Sequence, residues 1–176
     1  GGSGALADLT LTGFQAGGLL AANGGQLEVD RLTIAGSGPA AVAVRDRGRL
    51  VLRNGTVAGC TYGLFATGAE LSAESVQVVD ASYQCAAGAA GGRLALTDVT
   101  LQRCAAGGIS LLGAGTTHAG ERVTVDDAGA GPCVAVAEAA TAQVVSGTFR
   151  RCAGAGISLA GASADLSGVE TVSYTH

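Results

Sequence analysis

The sequence predicts an all-β chain wound into a parallel β-helix, a solenoid of about seven and a half coils of roughly 23 residues, and three observations predict it. An apolar residue closing a short β-like phrase recurs as Leu11, Ile34, Val57, Val78, Leu101, Val125 and Phe149, with the polar Thr171 as a weaker eighth member, at spacings of 23, 23, 21, 23, 24, 24 and 22 residues. That period is typical of stacked repeats. Each repeat holds two phrases that alternate at period two, so one set of side chains points inward and the next outward. Glycine falls at fixed offsets from the anchors, where the chain must bend.

Within a repeat, the first phrase is clearest as Leu27-Glu28-Val29 then Leu32-Thr33-Ile34, and as Leu94-Ala95-Leu96 then Val99-Thr100-Leu101. Gly13, Gly36 and Gly59 follow their anchors by two residues and predict a sharp bend that needs positive φ or close backbone approach. The second phrase comes next, as Val42-Ala43-Val44, Leu64-Phe65-Ala66, Ile109-Ser110-Leu111, Val134-Ala135-Val136 and Ile157-Ser158-Leu159, with Gly18, Gly63, Gly108 and Gly156 just before its first inward residue. Coil four departs through Tyr83-Gln84-Cys85-Ala86 and coil six through Gly131-Pro132-Cys133. Both read as ordinary turn variation, with a bulge or a functional excursion as the alternative. Stacked at roughly 4.8 Å per coil, such strands form long parallel sheets.

Composition agrees. Apolar residues reach 48% while aromatics are only 3%, so the core must be many thin layers of Leu, Val, Ile and Ala. The net charge of -4 gives no general attraction to nucleic acid, and no apolar run is long enough to span a membrane. Residues 1–176 read as one domain, expected to be a portion of a larger protein.

The Leu/Val-Thr-Ile/Val/Leu and Gly-Ile-Ser-Leu phrases resemble the single-stranded right-handed parallel β-helices of the pectate-lyase-like superfamily, over almost the whole chain. The resemblance implies right-handed coils and an extracellular or cell-surface setting. It does not select a function, because the fold carries lyases, hydrolases, adhesins and inert stalks alike.

Rows of equivalent residues supply the candidate sites. Thr10, Thr33, Thr56, Thr100, Thr124 and Thr148, with Gln77 in coil four, make an outward ladder whose simplest account is β-propensity and Thr packing. The neighbouring outward row Ala5, Glu28, Val51, Ser72, Ala95, Ala119 and Gln143 lacks the regularity of a binding lattice. Asp80, Arg103, Asp127 and Arg151 make an alternating charge ladder that fixes register; its sharper alternative is a glycosidase site using Asp80 and Asp127, or Asp126, as carboxylates. Arg103 between the acids would favour their ionised forms, against the needs of an acid catalyst. Arg45, Arg49 and Arg53, with the nearby Arg47, join Tyr62, Phe65 and Tyr83 as a candidate ligand or partner surface.

Cys60, Cys104 and Cys152 share one row and Cys85 and Cys133 another, each row's members two coils apart, which is too far for a disulfide within a row. Buried free thiols compatible with a cytoplasmic setting are therefore expected, with no metal and no cofactor. His118 takes the inward place held by Leu50, Leu71 and Leu94, or swings outward where coil six, residues 113–131, expands; His176 is terminal. The resulting expectation is a rigid scaffold or binding module, recognising carbohydrate or a protein partner, or self-associating through the solenoid ends. A polysaccharide-active glycoside hydrolase or lyase is the runner-up.

Overall fold

The computed structural model describes residues 2–36 and 38–172, so His176 lies outside the described residues. Strands form where apolar residues alternate, because such a strand buries its inward edge only when the next coil closes over it. The first coil contributes β1 (Ser3–Thr12) and β2 (Leu19–Ala21), and the second β3 (Gln26–Ala35) and β4 (Ala40–Arg45). The third gives β5 (Arg49–Ala58) and β6 (Tyr62–Thr67), and the fourth β7 (Glu70–Ala81) and β8 (Gln84–Ala89). From the fifth coil the long strand divides, into β9 (Arg93–Thr97) and β10 (Thr100–Cys104), followed by β11 (Gly107–Leu112). The sixth holds β12 (Thr117–Glu121), β13 (Thr124–Ala128) and β14 (Val134–Ala137), and the seventh β15 (Thr141–Val145), β16 (Thr148–Cys152) and β17 (Ile157–Ala160). On it lie β18 (Ser163–Ser167) and β19 (Glu170–Val172). No described helix is long and apolar enough to cross a membrane.

These strands build a parallel β-solenoid of about seven turns, with one 12-stranded and one 7-stranded sheet. Its register is the one the anchors predict. Leu11 stacks on Ile34, Ile34 on Val57, Val57 on Val78, Val78 on Leu101, Leu101 on Val125, Val125 on Phe149 and Phe149 on Thr171. The large sheet bends lengthwise into face one (residues 26–30 and their equivalents) and face two (residues 32–35 and theirs); the smaller sheet is face three.

Left-handed backbone makes the corners. Between faces two and three, Gly13, Gly36 and Gly59 have φ of 69°, 64° and 64°, and the same row continues with Asp80, Arg103, Asp127 and Arg151 at 57°, 52°, 63° and 52°. Between faces one and two a second row, Asp8, Arg31, Asn54, Ser75, Asp98, Arg122 and Ser146, is also left-handed throughout. A non-glycine residue held there costs about 1–3 kcal/mol. In three places the strain is accompanied by a two-pronged ion pair to the corner residue one coil on: Asp8 with Arg31, Asp80 with Arg103 and Asp98 with Arg122.

Inside, stacked Leu, Val, Ile and Ala fill the layers, and Leu50, Leu52, Leu64, Leu96 and Leu101 are fully buried. Larger intruders sit beside a glycine. Phe149 is buried next to Gly147, where a Cβ would lie 3.1 Å from the ring, and His118 is buried next to Gly120.

The expectation of unpaired thiols is corrected here. Cys85 bonds Cys104 and Cys133 bonds Cys152, each pair 19 residues apart with Cα atoms 5.4 Å apart. The distances within each cysteine row do not matter, because the bonds run between the rows: a cysteine opening face three joins the one that closes face two a coil later. The unusual Cys85 and Cys133 segments of coils four and six are where these bonds attach. Cys60 alone is free and buried, and burial raises its thiol to about 11. The residue 19 positions before it is Ala41, itself fully buried.

Ala41→Cys should therefore close a third bond of the same kind. Cys60 should become unreactive to alkylation in denaturant until reduced, with unfolding stability raised by about 3 kcal/mol for a loop of this size. A thiol at position 60 that still alkylates without reduction would show that the two corners are not equivalent.

Candidate binding groove

Outward side chains on face one stand in three rows. The first runs Arg49, Glu70, Arg93, Thr117, Thr141, Ser163, each residue paired in register with the next. The second runs from Ala5 and Glu28 through Val51, Ser72, Ala95 and Ala119 to Gln143 and Asp165. Small side chains in the middle of the second row leave a trough beside the taller first row. The result is a groove of about 690 Å³ running from Arg49 and Leu50 to Asp165. The row whose irregularity argued against a lattice is thus its floor.

Along the wall, Arg93 lies 3.5 Å from Glu70, with both side chains more than half exposed. Arg49 makes no ion pair among the described residues, which leaves a cation facing solvent at one end of the groove. Thr117, Thr141, Ser163 and Gln143 carry hydroxyl and amide groups along the rest. The groove can offer orientable hydrogen bonds from its polar side chains to an extended chain that lies on a largely apolar lining.

The residues proposed together as a ligand surface divide between faces. Arg49 lines the face-one groove. Arg53, also on face one, lies 3.6 Å from Glu28 and 3.8 Å from Glu74 in the coils on either side. Arg45 pairs with Asp46 in its own turn at 3.6 Å. Tyr62, Phe65 and Tyr83 do come together, on face three: the Tyr62 ring centroid is 5.2 Å from Phe65 and 5.2 Å, edge-on, from Tyr83. Tyr83 is half exposed, and Tyr62 stacks in register on Gln84, the residue next to Tyr83. Of the arginines only Arg45 shares a hollow with an aromatic, lining a face-three depression with Phe65, Leu20 and Pro39.

The three candidate carboxylates are each placed differently. Asp80 receives both arms of Arg103, at 2.6 and 3.0 Å, and that hydrogen bonding holds its carboxyl below the usual range. Asp127 is exposed at the left-handed corner. Asp126 is 2% exposed and lies 3.1 Å from Arg150 and 2.5 Å from Arg151. The charge ladder therefore breaks at its last step, because Arg151 turns to Asp126 and not to Asp127. Sequence alternation missed this since it compared only residues of one row. Asp126 Oδ1 and Arg150 Nε, both buried, have no partner.

His118 points inward. Its Nδ1 lies 3.2 Å from the Leu94 carbonyl, which can only accept, so Nδ1 carries the proton, and Nε2 is buried without a partner. Burial lowers this imidazole to about 4. Among the described residues no three His, Cys, Asp or Glu side chains converge as a metal site.

Removing charge should separate the two kinds of acid. Asp126→Asn leaves two arginines facing a neutral group in a buried setting and should lower stability by about 1–3 kcal/mol in urea unfolding. Asp80→Asn should leave the midpoint nearly unchanged, because exposed pairs contribute little. Equal losses from both would show that Asp126 is solvated like Asp80.

No protein-family model and no curated protein matches the chain. The likeness that stands is architectural: a parallel β-solenoid consistent with the pectate-lyase-like superfamily.

Proposed function

We propose that this rigid β-solenoid is a binding module that holds an extended, linear polysaccharide along the face-one groove. The observation that carries the reading is the continuous trough from Arg49 to Asp165, floored by Ser72, Ala95 and Ala119. A polymer lying parallel to the axis meets a comparable set of groups at each coil, every ~4.8 Å. An extended peptide suits this face less well, since the face-one strands from β5 to β15 are hydrogen-bonded on both edges and offer no free backbone to augment. Right-handed winding is adopted for the coils, as the hand overwhelmingly favoured for parallel crossovers.

Binding is favoured over cleavage by the state of the acids. Glycosidic cleavage needs one carboxyl that stays protonated and a second facing it across the bond. Within the groove Glu70 is engaged by Arg93, and Asp165 lies at the far end. Outside it, Asp80 and Asp126 are both held by arginine. Two disulfides further suit an oxidising compartment, such as the cell exterior.

A glycan array paired with a degradation assay on the same glycans tests this reading. Ala95→Trp, which fills the floor, should weaken glycan binding at least tenfold with an unchanged melting temperature, whereas Tyr83→Ala on face three should leave it intact. Binding that survives Ala95→Trp would move the site elsewhere, and released oligosaccharides would replace the module with an enzyme.

A further inference from the structure

We propose that residues 105–132, the stretch between the two disulfides, form an acid-opened segment that loosens while the disulfide-closed turns on either side stay folded. The Cys85–Cys104 bond ends where this segment begins, and the Cys133–Cys152 bond starts where it stops. Nothing covalent ties it to the neighbouring coils. Glycine occupies seven of its positions, from Gly107 to Gly131, so its ordered backbone is held at a higher entropic cost than that of its neighbours.

His118 sits at the middle of this stretch, in an apolar layer. It stacks between Leu94 and Ala142, with Val123 close by. The Nδ1–H is donated to Leu94, and the bare Nε2 has no partner. A Cβ at Gly120 would stand 2.8 Å from Nε2, so the imidazole already fills the space that glycine leaves. A proton arriving on Nε2 would create a charged N–H with no acceptor in reach, which is costly in such surroundings.

The ionisable groups on the packed strands do not relieve this. Arg93 on β9 faces outward to Glu70, Glu121 on β12 pairs with Arg122, Asp126 on β13 is engaged by Arg150 and Arg151, and Asp127 is exposed at its corner. β11, β14 and β15 carry no ionisable residue. Burial is the leading cause that lowers His118 to about 4, opposed only by the Leu94 hydrogen bond. The opened segment returns the imidazole to solvent, near 6.5. Opening therefore gains as pH falls from about 6.5 towards 4 and is indifferent to pH above that window. Because Thr117 and Ala119 line the groove, opening would also cut it in the middle; that consequence alone rests on the polysaccharide-binding reading.

Hydrogen exchange of the intact, oxidised chain at pH 7.5 and pH 4.5, corrected for intrinsic rates and without ligand, tests the proposal independently of binding. Amides of β12 should open on the order of 50-fold more in acid, while those of β5 and β7, and the Cys133 and Val134 amides that donate to carbonyls beyond the segment, keep their protection. His118→Leu should remove the acid response. If leucine is not accommodated beside Gly120, His118→Gln, which keeps an N–H for Leu94 without titrating in this range, should do the same. Unchanged protection of β12 at pH 4.5, simultaneous loss in all turns, or an acid response that survives both substitutions would overturn it.

Discussion

The constraint on which this molecule depends is the parallel hydrogen bonding of each residue to its equivalent one coil away. It spaces identical side-chain positions one strand apart, so no residue is chosen alone; each is chosen against the residues above and below it. Inward rows accept only side chains whose summed volume fills a layer. That is why Phe149 requires Gly147 and why His118 is accommodated by Gly120. The same rule places Gly63 and Gly108 where the next coil's backbone, at Cys85 and Cys133, approaches too closely for a Cβ.

Corners obey a second rule. A three-faced coil needs left-handed residues at fixed places, and glycine supplies them in the first three coils between faces two and three. From coil four onward charged residues take over that row, and an Asp followed one coil later by an Arg recurs at two of the left-handed corners. Each pair is exposed and individually weak. Repeated at strained positions, however, the pairs favour one register over its neighbours, since a one-coil slip would stack Asp on Asp or lose the partner.

The stacking register was legible in the sequence because burial disciplines the inward rows: all eight anchors fell where spacing put them. The corner between faces one and two was equally legible in principle, since Asp8, Arg31, Asn54, Ser75, Asp98, Arg122 and Ser146 lie three residues before their anchors. It was overlooked because its residues differ in kind and share only a backbone conformation. The disulfides went unseen because cysteines were compared within rows, although the separation of 19 residues occurs twice and joins one row to the other. The break in the charge ladder had no linear signal at all. Asp126 outcompetes Asp127 for Arg151 because it is shielded from water, and shielding is a property of the folded surface.

The binding groove was the least legible feature, for a related reason. Stacking constrains outward residues only weakly, so a functional row need not repeat, and Ser72, Ala95 and Ala119 show no pattern that would mark a floor. What defines the trough is a difference in height between adjacent rows, the long side chains of Arg49, Glu70 and Arg93 against small ones alongside. That difference becomes visible only once two rows are known to be neighbours on the same face. A solenoid thus writes its architecture in what recurs and its capacity for recognition in what fails to recur. In this chain the departures on face one fall in the same coils that carry the disulfides, where the underlying sheet is continuous enough to hold them in line.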